Sequence, residues 1–190
     1  MNKLFNTKNI IKLLAVLFIA ITVVSCQRDG SAEEDDLPQE ELTNIILLVK
    51  EDVPGAIAIE YNYSIGAGGI PTIPLTNGKS YIVNTRFYNG NEDVTQEIIE
   101  AKDEHFLIFD FPKSTINLTR EDGILSTGDL GQVGLITKWN VVNVVNSAEP
   151  FLKLDLIHAP QSASSSQYGT AWGSVIGGET DAEATFNLTN

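Results

Sequence analysis

Short apolar runs separated by turn residues constrain the fold of this chain more than any other feature. In FLKLDLIH, residues 151–158, leucines alternate with Lys153 and Asp155. A strand that buries one face and exposes the other has this period of two. Eight runs predict strands: TNIILLVK, AIAIEYNY, KSYIVNTRFY, HFLIFDF, STINLTR, QVGLITKWNVVNVV, FLKLDLIH and AEATFNLT.

Turn residues between these runs favour antiparallel neighbours over long helical connections. Four dipeptides have glycine in second position, where its tolerance of positive φ allows a tight reversal. They are Pro54-Gly55, Asn77-Gly78, Asn89-Gly90 and Asp122-Gly123. We therefore expect consecutive strands to pair as hairpins.

One segment, DVTQEIIEAKDEH, has a helical pattern instead. Val94, Ile98 and Ala101 fall at i, i+4 and i+7, and Asp93 with Gln96 three residues later is typical of a capping box. The sequence therefore predicts an all-β fold, a single antiparallel β-sandwich of immunoglobulin-like or Greek-key type. We expect about eight strands and one short helix near residues 93–103.

The first 25 residues have the charged-then-apolar layout of a secretory signal peptide. Lys3, Lys8 and Lys12 precede an uncharged apolar stretch at residues 13–24. About a dozen residues make roughly 18 Å of helix, short of the ~30 Å hydrocarbon core, which argues against a permanent transmembrane helix. Cys26 follows and is the single cysteine, so it cannot form a disulfide within the chain.

Ser25 before Cys26, with Val23 three positions back, resembles the lipobox of bacterial lipoproteins. The resemblance implies that Cys26 carries lipid such as palmitate and becomes the mature N-terminus after residues 1–25 are removed. Several acyl chains on one residue anchor a protein firmly to a membrane without spanning it. An ordinary signal peptide with an incidental cysteine is the alternative.

Residues 26–41 form an acidic tether ahead of the domain predicted at 42–190. Gln27 follows the cysteine where aspartate would resemble an inner-membrane retention signal, which favours the outer membrane. The tether also resembles the signal that exports some lipoproteins to the cell surface. A solvated spacer is the plainer interpretation, since like charges repel and Gly30 and Pro38 interrupt regular structure.

Charge excludes nucleic-acid binding. Three of the 12 basic residues and none of the 25 acidic ones lie in residues 1–25, so the remaining chain has a formal charge of −16. Phosphates would be repelled by such a surface.

The order of several segments resembles a family of small lipoproteins from bacteria rich in outer-membrane nutrient receptors. These segments are SYIVNTRFYN, EDVTQEIIEAKDEHFLIF, residues 154–160 and GGETDAEATFNL. The family carries the label "type 1 periplasmic binding fold superfamily protein" and is encoded near TonB-dependent receptors, with no defined function. That label implies two α/β lobes with helices throughout. The pattern of this sequence predicts a single helix, so we expect the β-sandwich instead.

The two histidines, His105 and His158, are candidate metal ligands because imidazoles and carboxylates suit a divalent metal. Each also has a plain explanation, at a helix end or a strand end. Carboxylates that could join them are Glu104, Asp155, Glu179 and Asp181. The last two follow Gly177-Gly178, which alternatively forms only a turn before the last strand.

A small-residue stretch at 159–173 predicts a long loop that contains Tyr168 and Trp172. Aromatic residues in such a loop could stack on a ligand, or could pack back onto the sandwich.

These features favour a non-catalytic, surface-exposed lipoprotein that assists or captures ligands for an uptake receptor, which could be TonB-dependent. The alternative is a metal- or haem-binding lipoprotein that uses His105 and His158. An enzyme is the least favoured interpretation, because no nucleophile motif or triad order is present. No cofactor is implied beyond the candidate metal.

Overall fold

Alternating apolar residues form the strands of the domain, which a computed structural model describes at residues 42–144 and 151–190. Fourteen strands and one helix, α1 (Thr95–Glu100), lie within these residues. The strands are β1 (Asn44–Glu51), β2 (Ile59–Ser64), β3 (Thr72–Pro74), β4 (Ser80–Asn89), β5 (Glu92–Asp93), β6 (His105–Asp110), β7 (Thr115–Arg120), β8 (Thr127–Gly128), β9 (Gly131–Gln132), β10 (Ile136–Asn143), β11 (Phe151–His158), β12 (Ser162–Tyr168), β13 (Ala171–Ile176) and β14 (Glu179–Thr189).

Two six-stranded sheets form the sandwich. The first sheet has the order β2-β1-β4-β10-β7, with β5 pairing to the end of β4, and the second has the order β12-β13-β6-β11-β14-β3. The all-β prediction is confirmed, while the immunoglobulin-like strand order stays a prediction. The expectation of purely antiparallel pairing needs one correction, since β3 lies parallel to β14.

The core lies between the two sheets and is built from inward positions with a period of two. On β1 these are Ile45, Leu47 and Val49, each at most 5% exposed. Trp139 of the first sheet meets Phe109 of the second edge to face, with ring centroids 6.4 Å apart. Such aromatic contacts add to the stabilisation that buried apolar area provides.

The helix is shorter than predicted, and its capping box does not form. Asp93 Oδ1 accepts a hydrogen bond from Thr95 N at 3.0 Å, but Val94 is the N-cap and makes no side-chain cap bond. Gln96 Nε2 donates along the helix to Glu100 Oε1 at 3.1 Å instead of returning to the cap. Ile98 is fully buried, as the apolar spacing predicts.

The long loop predicted at 159–173 is replaced by a β-hairpin. Strand β12, SASSSQY, pairs with β13 and carries side chains that are exposed at almost every position. Since neither face is buried, the segment has no apolar alternation from which a strand could be predicted.

A buried arginine links the two sheets through hydrogen bonds. Arg120, at the end of β7, donates from Nη1 to Val133 O at 2.6 Å and from Nη2 to Leu107 O at 2.5 Å. Its guanidinium carbon lies 4.1 Å from the centre of the Phe106 ring. Burial lowers the pKa of Arg120 to about 10, and the nearby Asp122 carboxylate acts in the opposite direction.

Candidate functional site

The structure brings the two histidines together at one rim of the second sheet. His105 begins β6, His158 ends β11, and the two are direct partners in the antiparallel ladder. Side chains of direct partners point to the same face. The imidazole rings accordingly stack, with centroids 5.0 Å apart and planes 15° from parallel. Their separation of 53 positions in sequence gave no sign of this contact.

A β-bulge adds a carboxylate to the pair. Leu156 lies opposite Ala182 and Ile157 lies opposite Thr180, which leaves Asp181 as an extra residue in β14. A bulge can redirect a side chain, and the Asp181 side chain is only 2% exposed. Asp181 Oδ2 lies 3.3 Å from His105 Nε2, and Oδ1 lies 3.9 Å from His158 Nδ1.

A hydrogen bond fixes the proton on one ring nitrogen of His105. Nδ1 is 2.9 Å from Ala101 O, and a carbonyl oxygen only accepts, so Nδ1 carries a hydrogen. A neutral ring would then present its Nε2 lone pair to the Asp181 carboxylate. His105 Nε2 and the Asp181 carboxylate therefore face each other in a buried setting.

This arrangement is not a chelating site. A metal ion binds in the plane of an imidazole ring, and two stacked, nearly parallel rings have no common point in plane beside them. Among residues 42–144 and 151–190, no three histidine, cysteine, aspartate or glutamate side chains are grouped to hold a metal. The predicted metal set is therefore not formed.

The other predicted ligands separate into two groups. Glu104 Oε2 lies 3.4 Å from His158 Nε2 and is half-exposed, while Glu179 lies opposite His158 in the ladder. Asp155 lies apart, because its side chain binds Lys153 Nζ at 3.2 Å. The carboxylates of Glu104 and Asp181 thus lie beside the histidines, Glu179 is the ladder partner of His158, and Asp155 lies apart.

Of the two aromatic residues predicted for a ligand loop, one is structural. Trp172 Nε1 donates to Ile116 O at 2.8 Å and packs against the core, so it joins β13 to β7 across the sandwich edge. Trp172 thus has a structural contact, and its ligand-stacking role stays a prediction. Tyr168 is 77% exposed on β12.

A cavity of about 340 Å³, which the sequence does not predict, lies where β10 begins beside β4. Its walls come from β4, α1, the segment after β7 and the start of β10. Lining side chains include Asn84, Thr85, Gln96, Ile99, Leu125 and Leu135.

No family model, no curated protein and no solved structure matches the chain. The resemblance to small lipoproteins therefore stays a prediction. In the part of the chain that the structure describes, no helix is long and apolar enough to cross a bilayer. The predicted signal peptide 1–25, the predicted lipidation site Cys26 and the predicted tether 26–41 lie outside the described residues.

Proposed function

We propose that this protein is a non-catalytic lipoprotein, anchored in the outer membrane by lipid on Cys26 and displayed at the cell surface. Its sandwich serves there as a ligand-capturing accessory of a nutrient-uptake receptor. The observation that carries the proposal is the sequence around Cys26. A basic start, an apolar stretch and Val23-x-Ser25 precede the cysteine in the order that lipoprotein processing uses.

The start of the folded domain supports the same proposal. Regular pairing begins at Asn44, directly after the acidic segment, and Thr43 N already donates to Tyr88 O at 2.8 Å. Covalent geometry lets the 16 residues from 26 to 41 reach at most about 55 Å, at roughly 3.4 Å per residue. That reach allows the sandwich to be presented clear of the membrane surface.

Cys26→Ala tests the anchor. We expect cells labelled with radioactive palmitate to label the wild-type protein but not the variant, and the variant to stay an uncleaved precursor, because lipid addition precedes cleavage. Ser25→Ala is the matched control, since it keeps a small residue before the cysteine and should be labelled normally. Palmitate in the Cys26→Ala protein would refute the anchor.

A further inference from the structure

Strand β2 is the outer strand at one end of the first sheet, and it pairs with β1 alone among the strands that the structure describes. At the end of that ladder Ile65 N donates to Thr43 O at 2.8 Å. Backbone groups alternate in direction along an antiparallel strand. The odd-numbered residues of β2 therefore direct theirs towards β1, whereas Glu60 and Asn62 direct theirs away from it. This outer edge presents a regular row of backbone donors and acceptors to an incoming strand.

The outer strands at the other three ends of the two sheets are each protected against such pairing. Strand β3 is three residues long and carries Pro74, which has no N–H to donate. A register shift interrupts β12. On β7, the carbonyl of Ile116 already accepts a hydrogen bond from Trp172 Nε1 at 2.8 Å. The register of β2 with β1 is unbroken, and Glu60 is the single charged residue of β2.

The side chains along β2 leave an apolar row partly uncovered. Ile57, just before the strand, is 84% exposed, Ile59 is 56% exposed, and Ile65, just after it, is 38% exposed. Tyr61 and Tyr63 belong to the same row, because they follow the same period of two, and they are half-buried against the core. An apolar row beside an open backbone edge is suited to the addition of another strand.

The order of residues around Tyr61 indicates which strand fits. Residues 57–65 read IAIEYNYSI, which has the same pattern of apolar, small and polar residues in both directions from Tyr61. When an antiparallel strand pairs with its own copy about a two-fold axis, each residue faces the residue equally far from the axis on the other side. With the axis at Tyr61, Ile59 of one copy faces Tyr63 of the other. Ile57 faces Ile65 in the same way, so each apolar side chain of the row meets another.

The same axis also matches the backbone and the charges. Glu60 of one copy faces Asn62 of the other, and both residues direct their backbone groups away from β1. The two can therefore exchange a pair of N–H to C=O hydrogen bonds, and the axis repeats this pair on the other side of Tyr61. Because a carboxylate faces an amide, no like charges are opposed, although the chain has a formal net charge of −13.

We propose that the protein forms a two-fold dimer in which β2 pairs antiparallel with β2 of a second copy, with the axis at Tyr61. The first sheets of the two copies then join into one continuous sheet. Because a single strand edge is a small interface, we expect a weak dimer whose population rises with protein concentration. Dimerisation goes beyond the accessory role proposed above and needs no lipid on Cys26.

Asn62→Glu tests this register. The substitution places a carboxylate opposite Glu60 of the second copy on both sides of the axis, so we expect roughly tenfold weaker dimerisation. Adding Glu60→Lys to the same chain makes both pairs opposite in charge, and we expect the affinity to return. Sedimentation equilibrium of the purified full-length protein, in a density-matched detergent, measures the dissociation constant of each protein.

Asn117→Glu is the matched control. It adds the same charge to an exposed asparagine on β7, at the opposite end of the same sheet, and should dimerise like the wild-type protein. The melting temperature of each variant shows that it folds. We expect Asn62→Glu to fold, since Asn62 is exposed and a glutamate can still accept the hydrogen bond that Asn44 Nδ2 donates to Asn62 Oδ1 at 2.8 Å.

Three results would overturn the proposal. The first is a wild-type protein that stays monomeric up to about 1 mM, the weak end of specific association. The second is unchanged dimerisation by Asn62→Glu, and the third is a double variant that dimerises no more tightly than Asn62→Glu alone. Equal weakening by Asn117→Glu would show that the effect follows from total charge, and would also count against the proposal.

Discussion

Buried ionisable side chains in this protein are each held by a different kind of partner. Arg120 donates to carbonyl oxygens and lies over an aromatic ring, and Asp122 accepts from backbone N–H groups. His105 Nε2 and Asp181 Oδ2 face each other at 3.3 Å, both buried. Since an uncompensated buried charge is strongly destabilising, each of these partnerships stabilises the fold.

Asp155 differs, because its partner does not offset its burial. Burial raises the pKa of Asp155, and Glu183 and Asp110 raise it further, against the opposing effect of Lys153. The pKa of Lys153 is also raised, since its attraction to Asp155 and Glu183 outweighs its own burial. The two side chains therefore attract each other. For the Asp155 carboxylate, however, the free-energy cost of burial exceeds the gain from this attraction.

This shift predicts how Asp155→Asn changes stability with pH. With its pKa raised on folding, Asp155 binds more protons in the folded state, so wild-type stability falls as pH rises above the ordinary value of 3.8. Asp155→Asn removes that loss. We expect the variant to be the more stable protein in urea unfolding at pH 7, and the difference to shrink as pH falls towards 3.8. A stability advantage of the variant that grows as the pH falls would contradict this prediction.

At the scale of secondary-structure elements, the bulge in β14 determines the histidine rim. Asp181→Ala leaves His105 Nε2 buried without its carboxylate, so we expect a loss of about 1–3 kcal/mol in the free energy of unfolding at pH 7. Glu183→Ala on the same strand is the control. Glu183 is 61% exposed and binds Lys153 only at 3.5 Å, so its loss should have little effect. Equal losses in the two variants would remove the special role of Asp181.

Strands with one buried face could be predicted from the sequence, and the others could not. All eight predicted runs contain a strand. The alternation of apolar and polar residues in these runs directly reflects which face of the strand is buried. Strand β12 has serines on both faces, and β3, β5, β8 and β9 have two or three residues each. Such segments depend on the neighbours they pair with, and composition does not reveal those neighbours.

The candidate sites depend on register, and register cannot be derived from spacing. His105 and His158 were predicted as candidates by residue type, but their stacking follows from the pairing of β6 with β11. The inward orientation of the Asp181 side chain follows from a one-residue bulge. The cavity around Thr85 joins segments that are far apart in the chain, so no local pattern marks it.

At the scale of the whole molecule, we propose that the acidic tether determines on which side of the membrane the sandwich lies. We expect Glu33→Gln, Glu34→Gln, Asp35→Asn and Asp36→Asn together to leave the protein lipidated but facing inward. Protease added to intact cells should then digest the wild-type protein and spare the variant. Neutralising Glu40 and Glu41 instead leaves the acids nearest Cys26 in place, and this control should be digested. Equal digestion of all three proteins would show that the tether acts only as a spacer.

The parallel pairing of β3 with β14 determines when the domain can finish folding. Thr72, early in the chain, lies opposite Asn187, near the end of the last strand. Strand β14 also fills the position between β11 and β3, so the second sheet stays incomplete until residues 179–189 have emerged. Contacts between such distant segments form slowly. A chain threaded N-terminus first through a membrane channel would therefore complete its second sheet only after the last strand has passed through.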